Sequence, residues 1–289
     1  MGYDIDFLFC VIDDFCKVYE EWERHKLIPS SGKRRRSGVM SLSELLTVMV
    51  LFHVSPCKNF KWFYLAYLPL KHGKDFPNRV SYTRFVALQP RLFLPLQLLL
   101  HNLRGEETGL YFMDATSLSV CHNKRINRHR VFGDLAKRGR TTMGWFFGFK
   151  LHVVMNHKGE IMAVKVTAGN IDDRQPVPEI TRNLKGLIAA DKGYISKKLF
   201  NKLYQKGLKL LVGIRKGMKN HLMPMGEKLL LRKRFIIETL FDILKNETNL
   251  WHTRHRSPAN AMVNLLAAIV AYTAKINKPA LKKLSLIQN

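Results

Sequence analysis

Over the first 105 residues, apolar positions recur three and four residues apart, which is the spacing of one face of an α-helix. The pattern predicts a first helix within residues 1–30 and a second that begins after Ser41. Ser41 is followed three residues later by Glu44, a capping box that starts a helix, and the apolar pattern carries this helix to about His53. Further helical segments are expected at residues 59–67 and 76–103. We therefore predict a mostly helical domain over residues 1–105.

From Gly109 onward the apolar runs become shorter and are typical of β-strands. Residues 110–120 form the first run, which Asp114 interrupts. Two further runs, 145–155 and 160–167, are separated by a polar turn and predict a hairpin. The remaining expected elements are a helix from Asp172 or Asp173 to about Leu184, a strand at 186–191, a helix at 196–206, a strand at 208–214, a helix at 232–245 and a helix at 259–275.

This order of elements predicts an α/β fold. Three strands are followed by helix, strand, helix, strand and helix. A mixed sheet whose first three strands form a meander, and whose later strands follow helical crossovers, is the arrangement of ribonuclease H-like domains. We expect such a sheet, flanked by helices, in a second domain over residues 106–289 that includes C-terminal helices.

The charge of the chain indicates the kind of partner. Its 289 residues include 48 lysines and arginines against 22 aspartates and glutamates, a net charge of +26. This excess favours a polyanion, because neutralising phosphates releases condensed counterions. A basic, mostly helical domain at residues 1–105 suits DNA recognition by a helix-turn-helix-like unit, although a plain helical packing domain has the same pattern.

Other features exclude several classes of protein. The longest apolar runs fall short of the about 20 residues that span a bilayer, so no membrane association is expected. The acidic N-terminus does not resemble a signal peptide. The four cysteines form no CxxC pair, and no histidine spacing completes a zinc site. These observations favour a reduced, cytoplasmic protein whose thiols are packing residues.

Basic residues are concentrated in three stretches between predicted elements. The stretch after the first strand favours phosphate contact over a solvated loop. The stretch after the first helix is balanced between phosphate contact and a solvated linker. The candidate DNA-binding residues in the three stretches are Lys33, Arg34, Arg35, Arg36, Lys124, Arg125, Arg128, Arg130, Lys137, Arg138, Arg140, Arg254 and Arg256.

Three acids have positions suited to holding divalent cations. Asp114 lies inside the first strand, Asp191 ends a later strand, and Glu238 lies on the helix after the sheet. Phosphoryl transfer on DNA uses Mg²⁺ held by carboxylates that converge from different elements. Each acid also has a structural explanation, as a buried carboxylate bonded to the backbone, a loop cap and half of an ion pair. Asp172 or Asp173 is an alternative middle ligand.

The predicted helix at residues 232–245 carries its charges in one stripe. Arg234, Glu238, Asp242 and Lys245 fall on one side at about 100° per residue, and apolar residues gather on the other side. A solvated surface helix with paired charges has the same pattern. The helix by itself therefore leaves both interpretations open.

Three short motifs together resemble a known family. They are Met113-Asp114-Ala115-Thr116, Asp191-Lys192-Gly193-Tyr194, and Arg234 followed by Glu238 and Lys245. In this order they resemble the DDE signature of bacterial insertion-sequence transposases, over about residues 109–275. One departure is Leu231, at a position where the broader signature often has a tyrosine.

The resemblance implies a ribonuclease H-like transposase that binds element ends, cleaves DNA by metal-dependent hydrolysis and joins the freed 3′-hydroxyl to target DNA. It implies that Asp114, Asp191 and Glu238 are the catalytic ligands of two Mg²⁺ (or Mn²⁺) ions. It also implies that Arg234 and Lys245 contact phosphates of the element end. Residues 215–230 are too few for a folded insertion domain, so no aromatic platform that stabilises a DNA hairpin is expected there.

The resemblance also implies partners and a location. The partners are double-stranded DNA, as terminal repeats and target, and a second copy of the chain in a homodimer on DNA. The location is the bacterial cytoplasm, in association with the nucleoid. Two other functions stay open at this point. They are a ribonuclease H-like nuclease or resolvase without strand transfer, and a non-catalytic DNA-binding relic.

Overall fold

The computed structural model describes residues 4–25, 38–142, 144–218, 222–250 and 255–281. The chain divides into two compact units. Unit 1 consists of Met1–Leu103 and Leu244–Ile276, and unit 2 consists of Arg104–Ile243 and Asn277–Asn289. Each unit has its own core and is described separately below.

The N-terminal part of unit 1 is helical, as the sequence predicted. Its helices are α1 (Ile5–His25), α2 (Leu42–Val54), α3 (Phe60–Trp62), α4 (Leu68–His72), α5 (Tyr82–Leu88) and α6 (Phe93–Asn102), with a π-helical turn at Phe63–Tyr67 and a 3₁₀ turn at Gln89–Leu92. The capping box of α2 is confirmed. The Ser41 hydroxyl accepts a hydrogen bond from the Glu44 N–H at 3.1 Å, and the Glu44 carboxylate accepts one from the Ser41 N–H at 2.7 Å.

Unit 2 is built on a six-stranded sheet. Its strands are β1 (Leu110–Cys121), β2 (Lys137–Thr141), β3 (Gly144–Asn156), β4 (Ile161–Ala168), β5 (Gly186–Ala190) and β6 (Leu208–Val212), and its helices are α7 (Val177–Ile180), α8 (Lys197–Tyr204), α9 (Met225–Arg232) and α10 (Ile236–Asp242). Strands β1, β3 and β4 are antiparallel neighbours, and β5 and β6 continue the sheet in parallel with β1. The order β4-β3-β1-β5-β6 confirms the predicted ribonuclease H-like mixed sheet.

The alternation of side chains along the strands forms the core of unit 2. Met113 on β1, Ile188 on β5 and Leu210 on β6 belong to one buried apolar cluster, together with Leu199 and Leu203 of α8. The crossover helix α8 therefore covers this face of the sheet. The opposite face of β1 remains for other side chains, including Asp114.

The last helix, α11 (Pro258–Thr273), belongs to unit 1. It packs against α2 and α6, and Val263–Tyr272 are all buried. A helix that is apolar on all sides needs partners around it, and the helices of unit 1 supply them. The sequence had predicted one domain over residues 106–289, whereas Leu244–Ile276 belong to the same compact unit as the N-terminal helices.

Three predicted elements differ from the observed ones. The expected helix at residues 172–184 is reduced to α7, and it begins only after Pro176 because Pro176 and Pro178 lack the N–H groups that a helix starting at residue 172 or 173 would need. The expected helix at 232–245 is divided into α10, a 3₁₀ turn at Lys233–Phe235 and a π-helical turn at Ile243–Glu247. It is preceded by α9, within the segment that was expected to be a loop.

The third difference is β2, which the sequence had placed in a basic loop. It pairs with β3, and Gly139 lets it lie close to the end of β4, because a Cβ there would lie 2.2 Å from the Gly169 carbonyl oxygen. Arg138 and Arg140 of this strand are exposed. The basic composition of β2 therefore reflects its solvent-facing side.

Two smaller expectations can be compared with the described residues. Cys16 and Cys57 are buried as free thiols, whereas Cys10 is exposed and Cys121 is partly buried. Across the described ranges, no helix has both the length and the apolar character that crossing a membrane requires.

Candidate active site

Asp114 owes its position to the alternation of side chains along β1. Met113 enters the apolar core, so Asp114 points to the opposite face of the sheet. Its carboxylate accepts a hydrogen bond from the Ala115 N–H at 2.8 Å, and its side chain is 23% exposed. Burial raises the pKa of Asp114 to about 6, although the Ala115 N–H and the charge of Arg234 act in the opposite direction.

Asp191 follows the last residue of β5, which is the parallel neighbour of β1. The register pairs Phe112 with Ala189, and Asp114 and Asp191 each lie two residues further along their strands. The parallel pairing therefore brings the two acids to the same edge of the sheet. Asp191 also precedes the 3₁₀ turn Lys192–Tyr194, and its side chain is about half exposed.

Glu238 lies in the first turn of α10, and α10 packs against β1. The apolar residues Ile237, Leu240 and Phe241 of this helix are buried. Glu238 lies on the exposed side, with its side chain 58% exposed. The amphipathic pattern of α10 therefore presents the acid away from the core.

Arg234 lies within reach of all three acids. Its Nη1 is 3.5 Å from Asp114 Oδ2, and its Nη2 is 3.1 Å from Glu238 Oε1 and 3.8 Å from Asp191 Oδ1. The Arg234 side chain is only 22% exposed. Three carboxylates from a strand, a strand end and a helix thus surround one guanidinium. Sequence reasoning had assigned Arg234 to DNA phosphates and had left a pair with Glu238 open, but it did not foresee the contacts with Asp114 and Asp191.

The guanidinium has an electrostatic effect on the cluster. Carboxylates placed together repel one another, and a cation between them offsets this repulsion. Within the described ranges, no group of three or more histidine, cysteine, aspartate or glutamate side chains is arranged to hold a metal ion as the side chains stand. The acids of this cluster are therefore gathered around Arg234.

The alternative middle ligands have partners of their own. Asp172 accepts a hydrogen bond from Arg174 Nε at 2.8 Å, and this contact lowers the pKa of Asp172 to about 2. Asp173 is paired with Lys150, whose Nζ lies 2.9 Å from Asp173 Oδ1 and 2.9 Å from the Ile171 carbonyl oxygen. Of the three candidates for the middle ligand, Asp191 is the one with a carboxylate oxygen within 4 Å of the Arg234 guanidinium.

Lys150 of β3 had no role predicted from the sequence. Its side chain is 13% exposed, and it holds the Asp173 carboxylate. The charge of Asp173 contributes to the raised pKa of Asp114. The available signal was a lysine in the mostly apolar run Gly144–Asn156, because a lysine in a largely buried strand is uncommon unless it is paired.

Two other polar residues of unit 2 are packing residues beside this cluster. His152 is buried, its Nε2 lies 2.8 Å from Thr167 Oγ1, and burial lowers its pKa to about 4. Tyr194 is buried in the apolar cluster next to α8, and burial is the main reason that its pKa is raised.

The candidate DNA-binding residues do not all lie in the same part of the molecule. Those of the stretch after β1 belong to unit 2 and are all exposed, namely Lys124, Arg125, Arg128, Arg130, Lys137, Arg138 and Arg140. Arg256 is exposed and belongs to unit 1, as does Lys245, which is partly buried in the π-helical turn. The candidates Lys33, Arg34, Arg35, Arg36 and Arg254 lie outside the described residues.

Comparison with known proteins identifies one matching family model. The model described as "Transposase DDE domain" matches residues 104–258. A search of curated proteins found no match.

Two solved structures show similarity at low sequence identity. The first is a piggyBac transposase synaptic complex with hairpin DNA, at 12% identity over 94% of this chain and 75% of that chain, with a TM-score of 0.46. The second is the Mos1 strand transfer complex, at 9% identity over 91% of this chain and 87% of that chain, with a TM-score of 0.25.

Proposed function

Because the chain belongs to the transposase DDE domain family, and is therefore a DNA-cleaving and DNA-joining enzyme, we propose that Asp114, Asp191 and Glu238 are its catalytic acids. The observation that carries this proposal is their approach to a single guanidinium, with distances to Arg234 of 3.5, 3.8 and 3.1 Å. Acids that come from three separate elements and meet at one point need an explanation beyond local ion pairing. Divalent metal ions that the three acids hold together would supply that explanation.

The donor chemistry of the cluster fits Mg²⁺ or Mn²⁺. All three side chains offer carboxylate oxygens, which these ions prefer, and Arg234 shows that the cluster accommodates positive charge. Two such ions, when bound, would activate the attacking oxygen and neutralise charge on the phosphate. We propose that Arg234 leaves the carboxylates when the ions enter and then contacts a DNA phosphate, as the sequence had suggested.

The proposed reaction has two steps. In the first, water attacks phosphorus at an element end, and the bond from phosphorus to the 3′-oxygen breaks to leave a 3′-hydroxyl. In the second, this hydroxyl attacks a phosphorus of target DNA, forms a new phosphodiester and releases the target 3′-oxygen. Asp114, Asp191 and Glu238 orient the reacting groups, since the sheet edge and α10 hold them in position.

The finer features of the function are also part of this proposal. We assign the protein to a bacterial insertion sequence, acting at the nucleoid, with terminal repeats and target DNA as substrates. Residues 1–105 recognise the element ends, and the exposed cations between β1 and β3 contact phosphates. Two ends must be processed together, so a homodimer on DNA is the expected assembly.

An end-joining assay tests the proposal. The substrate is a labelled duplex with a pre-cleaved 3′-hydroxyl, taken from the DNA that flanks the coding sequence, and a supercoiled plasmid is the target. The native protein should give joined product with Mg²⁺ or Mn²⁺, and Asp114→Asn should give none while still binding the duplex. Lys165→Ala on β4 is the matched control and should retain joining, because it removes only a surface ion pair with Glu179 of α7.

The same assay separates the alternatives. Cleavage without joined product would indicate a nuclease or resolvase. Binding without cleavage or joining in any divalent ion would indicate a non-catalytic relic. Full joining by Asp114→Asn would remove that residue from the catalytic set.

A further inference from the structure

One helical segment of unit 1 exposes large apolar side chains on its outer side. It consists of α3, the π-helical turn Phe63–Tyr67 and α4, which follow one another without a break. Trp62 is 57% exposed, Leu65 53% and Leu70 80%. Residues 62–70 contain no charged side chain, although charged residues make up 24% of the chain. We refer to Trp62, Leu65 and Leu70 as the apolar patch.

The π-helical turn brings the side chains of the patch into line. The Leu68 N–H donates a hydrogen bond to the Phe63 carbonyl oxygen, so this turn contains one residue more than an α-helical turn. In a regular α-helix, Leu70 would lie about 80° around the axis from Trp62, and the extra residue reduces this angle to about 20°. Phe63, Tyr64 and Leu68 fill the opposite, buried side of the segment.

Pro69 accounts for the π-helical turn. A proline has no N–H to donate to the carbonyl oxygen of Leu65, four residues earlier, and in a regular helix its ring would collide with that carbonyl group. A wider turn before the proline relieves this conflict. The alignment of the apolar patch therefore follows from one residue of the sequence.

The size of the apolar patch matches a weak protein–protein contact. At their exposed fractions, its three side chains leave roughly 300–400 Å² of apolar surface accessible. This is the size of the largest apolar patch on a typical monomeric protein, and such patches often bind a partner. Pairing two of these patches, with the residues around them, would bury roughly 1,000 Å², at the low end of specific interfaces.

Charge indicates which partner covers the patch. DNA is excluded, because residues 62–70 offer no cation to a phosphate. Two copies of a chain with a net charge of +26 repel each other across most of their surface, and an uncharged face is where they approach at the lowest cost. An apolar face is also complementary to itself, so a two-fold axis can pair it with its counterpart.

We propose that the apolar patch pairs with the same patch of a second copy, in a two-fold symmetric dimer that forms without DNA. The inference rests on the proposed function, which expects a homodimer on DNA, and it adds the contact surface and the DNA-free state. The contact is weak by itself. Two copies bound to one DNA are held at a high effective concentration, which strengthens their association.

Sedimentation velocity of the full chain without DNA tests the dimer. The native protein should pass from monomer to dimer with a Kd of about 1–100 μM. Leu65→Glu should weaken dimerisation at least about tenfold, because it places a carboxylate in an apolar contact. The matched control is Val18→Glu in α1, which changes an apolar residue that is 68% exposed outside the patch and should leave the Kd unchanged. Circular dichroism should show the same helix content in all three proteins.

The response to salt distinguishes an apolar contact from a charge-driven one. Added salt screens the repulsion between two copies of a strongly basic chain, so dimerisation should strengthen from about 0.05 to 0.5 M salt. DNA binding should weaken over the same range. A dimer that weakens as salt is added would be held by opposite charges and would overturn the proposal.

Cross-linking identifies the faces that meet. In a Cys10→Ser background, which removes an exposed thiol, Leu65→Cys should give a covalent dimer with a short bismaleimide. Val18→Cys in the same background should give none. A residue that is linked to its own counterpart requires the same face on both copies. Equal yields from the two variants would contradict the assignment of the contact to the patch.

Three further outcomes would overturn the proposal. The first is a native protein that stays monomeric up to about 100 μM. The second is a Leu65→Glu protein that dimerises as the native protein does. The third is a monomeric native protein that binds vesicles of phosphatidylcholine and phosphatidylglycerol through the patch, which would identify a membrane surface as the partner. A protein that dimerises through the patch but never joins DNA would contradict the proposed function and leave the dimer standing.

Discussion

The two units differ in how they group partly buried charges. In the described residues of both units the fully buried polar side chains are neutral, and His53 of unit 1 is an example, with Nδ1 2.6 Å from the Thr248 carbonyl oxygen. Unit 1 has a partly buried ion pair of Lys275 with Glu247, whereas in unit 2 the partly buried Arg234 contacts three acids. Neutral groups cost little to bury once they are hydrogen-bonded, whereas charges cost considerably more. Partly buried charges that are grouped at one place are costly to the fold and are often found at functional sites. We therefore place the proposed active site in unit 2.

The largest expected effect is the loss of DNA cleavage when a proposed metal ligand of unit 2 is changed, compared with a packing residue of unit 1. Asp191→Asn and Glu238→Gln should each lower the rate of metal-dependent DNA cleavage by about a thousandfold, since each removes a proposed ligand worth several kcal/mol at the transition state. Thr47→Val in unit 1 replaces a buried hydroxyl that has no hydrogen-bond partner among the residues that the structure describes, and it should leave the rate unchanged. Single-turnover cleavage rates decide the comparison. Equal losses in all three variants would mean that the units do not differ in this way.

A second prediction concerns the core of unit 1. Leu46→Ala removes a fully buried side chain of α2 and should lower the free energy of unfolding by about 2–5 kcal/mol through lost burial and a new cavity. The matched control is Leu70→Ala in α4, because Leu70 is 80% exposed. Chemical denaturation followed by far-ultraviolet circular dichroism measures both changes. A Leu46→Ala protein as stable as the control would contradict a close-packed helical core.

The third prediction uses pH to distinguish the units. Burial lowers the pKa of His53 and of His255 to about 4, below the about 6.5 of an unfolded chain. Between these values the unfolded state binds more protons, so unit 1 is fully stabilised above about pH 6.5 and loses stability as pH falls towards 4. For His53 the loss is about 3 kcal/mol, at 1.36 kcal/mol for each unit of pKa.

The stability of unit 2 should depend less on pH across this range, because the pKa shifts of His152 and Asp114 have opposite signs. His152, with its pKa lowered to about 4, loses stabilisation as pH falls. Asp114, with its pKa raised to about 6, contributes stability below about pH 3.8 that disappears as pH rises through 6. Hydrogen exchange of α2 and β1 amides across pH 4–7, corrected for intrinsic rates, measures each unit. His53→Gln should flatten the profile of α2, and an unchanged profile would contradict the assignment to His53.

The smallest effect concerns Arg234. Arg234→Gln removes the cation among three acids, so the free energy of unfolding of the metal-free protein should fall by about 1–3 kcal/mol. The affinity of this variant for Mn²⁺ should rise severalfold, because no side-chain cation competes with the metal ion. Isothermal titration calorimetry and denaturation measure the two quantities. Arg174→Gln, which breaks an exposed pair with Asp172, should change stability by less than about 1 kcal/mol. Weaker Mn²⁺ binding by Arg234→Gln would show that the guanidinium supports the site in another way.

The sequence predicted the fold more completely than the surroundings of the candidate site. The strand order followed from apolar runs and the helices between them, and the family match confirmed the resemblance carried by three motifs. The ion pair of Arg234 with Glu238 keeps the i,i+4 spacing of a helix and could be read from the sequence, but the contacts of Arg234 with Asp114 and Asp191 could not. Those contacts join residues that are far apart in the chain and depend on the packing of α10 against β1.

Strand β2 and the partner of Lys150 were missed for a related reason. The segment Lys137–Thr141 has the composition of a basic loop, and it becomes a strand only because β3 offers an unpaired edge and Gly139 permits close approach. Lys150 is buried at a cost that Asp173 offsets from a loop 23 residues away. Both depend on neighbours that are distant in the chain.

The sequence by itself determined the periodic elements, the capping box at Ser41, the net charge and the three acids that the family motifs mark. These properties depend on residues close together or on composition, so they can be read along the chain. Only the tertiary structure decided that α11 packs in unit 1, that Asp114 and Asp191 reach the same sheet edge, and that Arg234 lies between the acids. Those outcomes depend on packing and on strand register between distant segments, whose free energies do not belong to any one stretch of sequence.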